Sequence, residues 1–296
     1  MPAKKETAQA DIAIIGGSGL YEMEGLQQVR EIRVTTPFGA PSDALVLGTF
    51  NGIRVAFLSR HGRGHRISPS EINYRANIYA LKSLGVGRIV SVSAVGSMKE
   101  TLQPGHVVLP DQFIDHTKRR AGTFFDQGVV AHVAFADPVC AALSSALFKA
   151  ATNVGARVHH GGTYICIEGP QFSSRAESFL YRGWGVDVIG MTNMPEAKLA
   201  REAELCFATM ALVTDYDCWH DSHESVTVEM ILKTLMANVA LARRILGAVL
   251  PVAAEPRTCH CGRALANALV TAPDRIPAAA RKRLALLIDP YLKVKR

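Results

Sequence analysis

Thr214-Asp215-Tyr216-Asp217-Cys218-Trp219 follows directly on Phe207 to Val213, the most apolar run in the chain. Such a run reads as a fully buried strand, and ligands of open α/β sheets bind beyond the carboxyl ends of strands. A carboxylate there is partly desolvated, which raises its pKa and keeps a proton available near neutrality. Two acids spaced i, i+2 on an extended segment point the same way, so Asp215 and Asp217 can face one ligand. A solvated turn or a pair of helix caps would use the same residue types. The order of buried strand, two acids and an aromatic fits instead a site for a weakly basic heterocycle.

Four further segments at strand ends carry donors suited to an anion. Gly16-Gly17-Ser18-Gly19 offers glycines able to take positive φ, backbone N–H groups and the Ser18 hydroxyl. It is not a dinucleotide fingerprint: Tyr21 stands where the third glycine of G-x-G-x-x-G belongs, and no helical pattern follows, so a single phosphate fits better. Arg60-His61-Gly62 ends the strand Val55 to Ser59. Its guanidinium fork suits phosphate oxygens, with His61 as a second donor. Ser91 to Ser97 puts Ser93 and the Ala94 backbone just after a strand, and Gly190 to Glu196 puts Thr192 before a helix opened by Pro195. Met191 adds a flexible apolar surface for a sugar face. Each segment taken singly is an ordinary loop, surface dipeptide or cap. Four of them at successive strand ends point to one anion site.

The elements that must position these groups alternate between strand and helix. Strands are expected at 11–15, 44–50, 53–59, 88–92, 107–110, 162–167, 186–189 and 207–213, with a hairpin around Asn51-Gly52. Helices are expected at 73–84, from Asp137 (cap) and Pro138 to about 154, at 173–183, from Pro195 to about 204, and at 226–250. This is an α/β fold with a mixed central β-sheet flanked by helices. Pro251 to Pro256 separates a main domain, residues 1–255, from a C-terminal extension of two short helices, residues 256–296.

Composition limits the partners. With 48% hydrophobic and 20% charged residues in 296, the chain is expected to be a cytoplasmic globular protein with an ample core. It shows no signal region, and no apolar stretch approaches the roughly 20 residues of a bilayer span. The formal charge is +7, but residues 274–296 alone supply five of those charges. No nucleic-acid motif accompanies them, so neither nucleic acid nor membrane is an expected partner. Six cysteines are scattered apart from Cys259-His260-Cys261. That pair has no second pair at zinc-finger spacing, so no metal is expected. A redox-active dithiol, or thiols without function, are the readings left.

The segments IIGGSGL (14–20), TPFGAPSDAL (36–45), SRHGRGH (59–65), NYRANIYALK (73–82), EGPQFSSRAES (168–178), MTNMPEAKLAREA (191–203) and TDYDCW (214–219) make the chain resemble the 5′-methylthioadenosine phosphorylases. These form part of the trimeric branch of the purine nucleoside phosphorylases, and the likeness runs from about 11 to 250. It implies phosphate ligands at Ser18, Arg60, His61, Ser93, Ala94 and Thr192. It also implies a nucleoside pocket with Phe172 near the base, Met191 beneath the ribose, and Ser173 and Val228 setting preference. Val228, Ile231 and Leu232 would line an alkylthio slot, and His132 would be lent by a neighbouring subunit of a homotrimer or a dimer of trimers. The implied reaction is phosphorolysis of S-methyl-5′-thioadenosine, in purine and methionine salvage, without a cofactor, inorganic phosphate being a co-substrate. Asp215 would protonate the purine and Asp217 accept from its exocyclic amino group. A 6-oxopurine or methylthioinosine phosphorylase is the nearest alternative, disfavoured by the paired acids. A hydrolytic nucleosidase, a dinucleotide oxidoreductase and a nucleic-acid-binding protein are more distant rivals.

Overall fold

Hydrophobic residues alternate along the first strand: Ala13 and Ile15 enter one core cluster, Ile12 and Ile14 the other. That two-sided burial requires a central sheet covered on both faces. The computed structural model describes residues 9–220 and 228–292. In chain order its elements are β1 (Ile12–Gly16), β2 (Leu26–Ile32), β3 (Leu45–Phe50), β4 (Ile53–Ser59), α1 (Tyr74–Ser83), β5 (Arg88–Ser97), β6 (Val107–Leu109), β7 (Gln112–His116) and α2 (Ala141–Asn153). There follow β8 (Val158–His160), β9 (Thr163–Ile167), α3 (Arg175–Gly183), β10 (Val188–Gly190), α4 (Asn193–Glu202), β11 (Cys206–Tyr216), α5 (Val228–Val249) and α6 (Ala278–Leu292).

Among the described residues these strands form one mixed sheet in the order β2-β3-β4-β1-β5-β10-β9-β7, while β11 pairs with both β5 and β6. Residues of α1, α4 and α6 share one cluster, and residues of α2 and α5 the other. The expected mixed sheet between helices is therefore the observed architecture. The Asn51-Gly52 hairpin joins β3 to β4, with φ of 48° and 81° as a type I′ turn demands.

β5 runs five residues past its expected end, and this makes the site. Its first part pairs with β1 as far as Ser91, and its last part pairs with β10 from Gly96. Between them Val92 to Val95 are bordered by β11 alone. The edge opened there by diverging strands lies at a switch in direction, since β1 is parallel and β10 antiparallel to β5.

Other expectations need correction. The helix expected from Asp137 starts at Ala141, because Cys140 is extended and donates its N–H to Phe207, tying the preceding turn to β11. β2, β7 and β8 escape the sequence pattern: β2 is largely exposed, so it lacks apolar alternation, and β8 is only three residues long. None of Gly16, Gly17 or Gly19 takes positive φ; Gly16 is crowded by Leu20 and Val92. Met236–Ala254 does reach the length and mean hydropathy, 1.4, of a bilayer span. Its Ala242, Ile245, Leu246, Val249 and Leu250 are buried in the core cluster shared with α2.

The C-terminal segment holds 3-10 turns at His260–Arg263 and Pro273–Arg275 and the fifteen-residue α6, where two short helices are expected. Leu265, Ala268, Leu284, Leu287 and Ile288 join the same apolar cluster as α1 and α4. Its Ala268 to Thr271 stretch also holds the loop before α2: His132 donates its N–H to Ala268, and Val270 to Val130.

Candidate active site

Arg60 leaves the end of β4 and turns inward until it is 2% exposed. A bare guanidinium could not stay there, and Glu196 meets it with both carboxylate oxygens, at 2.9 Å from Nε and 3.1 Å from Nη2. Nη1 donates to the Val92 carbonyl at 2.9 Å, and Nη2 to Ser91 Oγ at 2.8 Å. The fork expected to grip an anion is thus occupied by Glu196. Among the described residues, one N–H of Nη1 remains for a ligand.

The same carboxylate starts a buried relay. Ser91 Oγ donates to Glu196 at 2.6 Å, Asn193 Nδ2 to Ser91 at 2.9 Å, and Ser93 Oγ to Asn193 at 3.2 Å. Arg60 and Ser93 are therefore fixed relative to one another through groups the sequence did not single out. Ala94 follows Ser93 on the open edge of β5 and is exposed. Thr192 occupies the N-cap of α4, buried, with no capping hydrogen bond from its hydroxyl. Because Met194 departs from helical geometry, regular helix begins only at Pro195. Ser18 sits in a 3-10 turn after β1; its side chain lies outside the described residues.

His61 stacks on His65 with centroids 4.2 Å apart, and its Nδ1 lies 2.8 Å from the Ile67 carbonyl. A carbonyl only accepts, so Nδ1 carries the proton. Burial, then the Arg60 charge, lowers its pKa to about 4. The ring is neutral near pH 7 and presents a lone pair at Nε2, an acceptor where the sequence suggested a second donor.

Tyr164 reaches the same neighbourhood from β9. Its fully buried hydroxyl fills the space above Gly190, where any side chain would collide with it. It lies near Ser93 and the Thr192 backbone, and no group among the described residues completes a hydrogen bond with it.

The two acids meet beside Gly96. A β-bulge between Val213 and Asp215 shifts the register of β11, so that Asp215 is inside the strand rather than beyond it. A methyl group on Gly96 would lie 3.1 Å from Ile189 Cγ2, 3.2 Å from Asp215 Oδ1 and 3.5 Å from Asp217 Cβ, so any side chain here would press on both acids. Burial pushes Asp215 up to about 6; a 2.6 Å bond from Thr214 Oγ1 opposes the shift and the Asp217 charge assists it. Asp217 is also raised, again chiefly by burial.

Around the acids, Cys218 points its thiol at the Ser173 carbonyl, 3.4 Å away, joining the loop after β11 to the loop before α3. Phe172 on that loop is 57% exposed. Met191 packs on Gly169, and its carbonyl accepts from Arg120 Nη1 at 2.6 Å. Arg120 also donates to the Glu168 carbonyl at 2.7 Å and the Met194 carbonyl at 2.6 Å, clamping the two loops together. Nothing in the spacing of the chain announces that arginine, which acts mainly through backbone oxygens, with the Tyr74 hydroxyl at 3.1 Å and the Glu168 carboxylate at 3.4 Å beside them. His132 is exposed, and among the described residues no hydrogen bond or ring contact joins its side chain to these groups. α5 carries Val228, Ile231 and Leu232, whose side chains lie outside the described residues. In sum, one sheet opening holds a fixed cation with hydroxyls and, within three residues along β5, two protonatable acids.

The comparisons agree in kind. The model of the phosphorylase superfamily matches residues 11–251. An S-methyl-5′-thioadenosine phosphorylase of Geobacter sulfurreducens is 61% identical over 95% of this chain and 99% of its own length. One of Koribacter versatilis is 57% identical over 96% and 97%. A crystal structure of a methylthioadenosine phosphorylase from an Antarctic soil metagenomic library superposes with a TM-score of 0.91 at 53% identity, over 95% of this chain and 99% of that one. A variant of the Schistosoma mansoni adenosine/methylthioadenosine phosphorylase, in complex with methylthioadenosine, gives a TM-score of 0.78 at 38% identity over 84% and 93%.

Proposed function

The chain belongs to the phosphorylase superfamily and, within it, to the S-methyl-5′-thioadenosine phosphorylases, and from that premise we propose how its residues carry out the phosphorolysis. As a pentosyltransferase it moves methylthioribose from adenine to phosphate, giving 5-methylthioribose-1-phosphate. Breaking the N-glycosidic bond builds positive charge on the ribosyl ring and negative charge on the purine. Phosphate, held by the free N–H of Arg60, the Ser93 and Thr192 hydroxyls, the Ala94 backbone and Ser18, stabilises the ring cation and captures it. Asp215 donates its proton to the imidazole-ring nitrogen of the leaving purine, a step worth on the order of 10²–10⁴-fold. Asp217 accepts from the exocyclic amino group, which a 6-oxopurine lacks. Inorganic phosphate is the second substrate, and the chemistry draws on no cofactor.

The observation that carries this reading is the placement of both raised acids around Gly96, within three residues of Ser93 on the same strand. Phe172 stacks near the base, Ser173 borders it, Met191 lies under the ribose, and Val228, Ile231 and Leu232 line the methylthio slot. The active form is a cytoplasmic homotrimer in which His132 completes a neighbour's pocket. Its support is the exposure of Phe172, Phe179, Leu180 and Trp184, apolar surface that a monomer rarely leaves in contact with water. Purine release from methylthioadenosine, adenosine and inosine, each with and without phosphate, tests the reading. Phosphate-dependent release from the aminopurine nucleosides is expected, and phosphate-independent turnover would sink it.

A further inference from the structure

Four thiols with no part in this chemistry converge where the C-terminal segment meets the body. Cys140 is the N-cap of α2, Cys206 opens β11, and Cys259 and Cys261 flank the start of a 3-10 turn. Their sulfurs all lie within 4.8 Å of one another, with Cys206 and Cys259 at 3.3 Å. We propose that Cys140, Cys206, Cys259 and Cys261 bind one structural zinc ion. Four thiolates around zinc at about 2.3 Å stand roughly 3.8 Å apart, so the observed set closes into a tetrahedron by small side-chain adjustments. Cys-x-Cys has no second pair at finger spacing, which is why the sequence alone leads to no metal. The fold supplies the missing ligands singly, from a helix cap and a strand start 66 residues apart.

Three further observations fit a metal. Cys140, Cys206 and Cys261 are buried, and all three belong to an apolar cluster that excludes competing water. Four thiolates and a divalent ion carry two net negative charges, and the adjoining cleft places Arg88, Lys149 and Arg257 against a single acid, Glu255, to offset them. That cleft, about 350 Å³ and lined by Cys140, Cys206 and Cys259, is the entry path a site needs. Cys206 begins the strand that carries Asp215, nine residues or about 30 Å away, so the ion is remote from the reacting atoms. Its effect is to staple residues 256–292 to the body.

The measurement is the metal content of the full-length protein purified under reducing conditions without chelator. About one zinc per chain is expected, released when a mercurial titrates the thiols. Cys259→Ser and Cys261→Ser should each retain less than a tenth of it, whereas Cys218→Ser should retain all. Should the serine variants fail to fold, cobalt(II) exchanged into the wild-type chain should give the absorption of a tetrahedral tetrathiolate. Absence of metal with four free thiols, a mass showing two disulfides, or iron in place of zinc would each overturn the proposal.

Discussion

Glu196 holds the Arg60 guanidinium by both of its oxygens, with neither residue open to solvent. A buried pair of this kind conflates two roles, since removing one partner strands the other charge. Arg60→Met alone should therefore destabilise the fold by about 3–5 kcal/mol as well as abolish phosphate use. Arg60→Met with Glu196→Leu should recover most of the melting temperature but none of the phosphate dependence. If the double variant again responds to phosphate, Arg60 is a buttress and not a ligand.

In the mechanism proposed above Asp215 acts as an acid, so its protonated form would be the active one. With a pKa near 6, activity should fall as pH rises through that value. The observable is kcat/KM for methylthioadenosine at saturating phosphate, which reports groups of the enzyme–phosphate complex before the nucleoside binds. Asp215→Asn should remove the limb and move preference toward inosine-type substrates. An unchanged ratio of adenine to hypoxanthine release would refute the assignment.

His61 presents an acceptor at Nε2, and its low pKa resists charging the ring. Phosphate should then bind near pH 7 by donating its own hydroxyl to His61, with little net proton exchange. Calorimetry in buffers of different ionisation enthalpy reads this directly. Uptake of about one proton per site, lost in His61→Ala, would instead mean that the imidazolium is the ligand.

A buried hydroxyl without a partner costs about 1–3 kcal/mol, and among the described residues Tyr164 has none for its hydroxyl, which lies beside the anion donors. Tyr164→Phe should leave the phosphate-free melting temperature unchanged or higher. It should shrink the rise that phosphate produces. An identical phosphate response in both proteins would show that the hydroxyl never meets the ligand.

Periodicity and punctuation make the sheet, the Asn51-Gly52 hairpin and most helices legible, because those signals are local. The acids were legible for the same reason: a buried strand and two carboxylates lie within eleven residues. What stayed hidden depends on contacts across the fold. Glu196 reads as an ordinary acid at a helix start, yet it meets an arginine 136 residues away. Arg120 sits in a polar stretch without pattern. The open edge of β5 follows from where its neighbours stop, which no window on β5 itself records.

The superfamily model ends at residue 251, but the stretch after it decides where one histidine stands. His132 is tethered by its N–H to Ala268, and the adjoining chain pairs with Val270 and Thr271. A protein cut at the linker would keep every group of its own cleft. In the trimer proposed above, where His132 serves a neighbour, such a protein mixed with intact copies would fail as a donor while still serving as a recipient, so the harm would surface in the subunit next door.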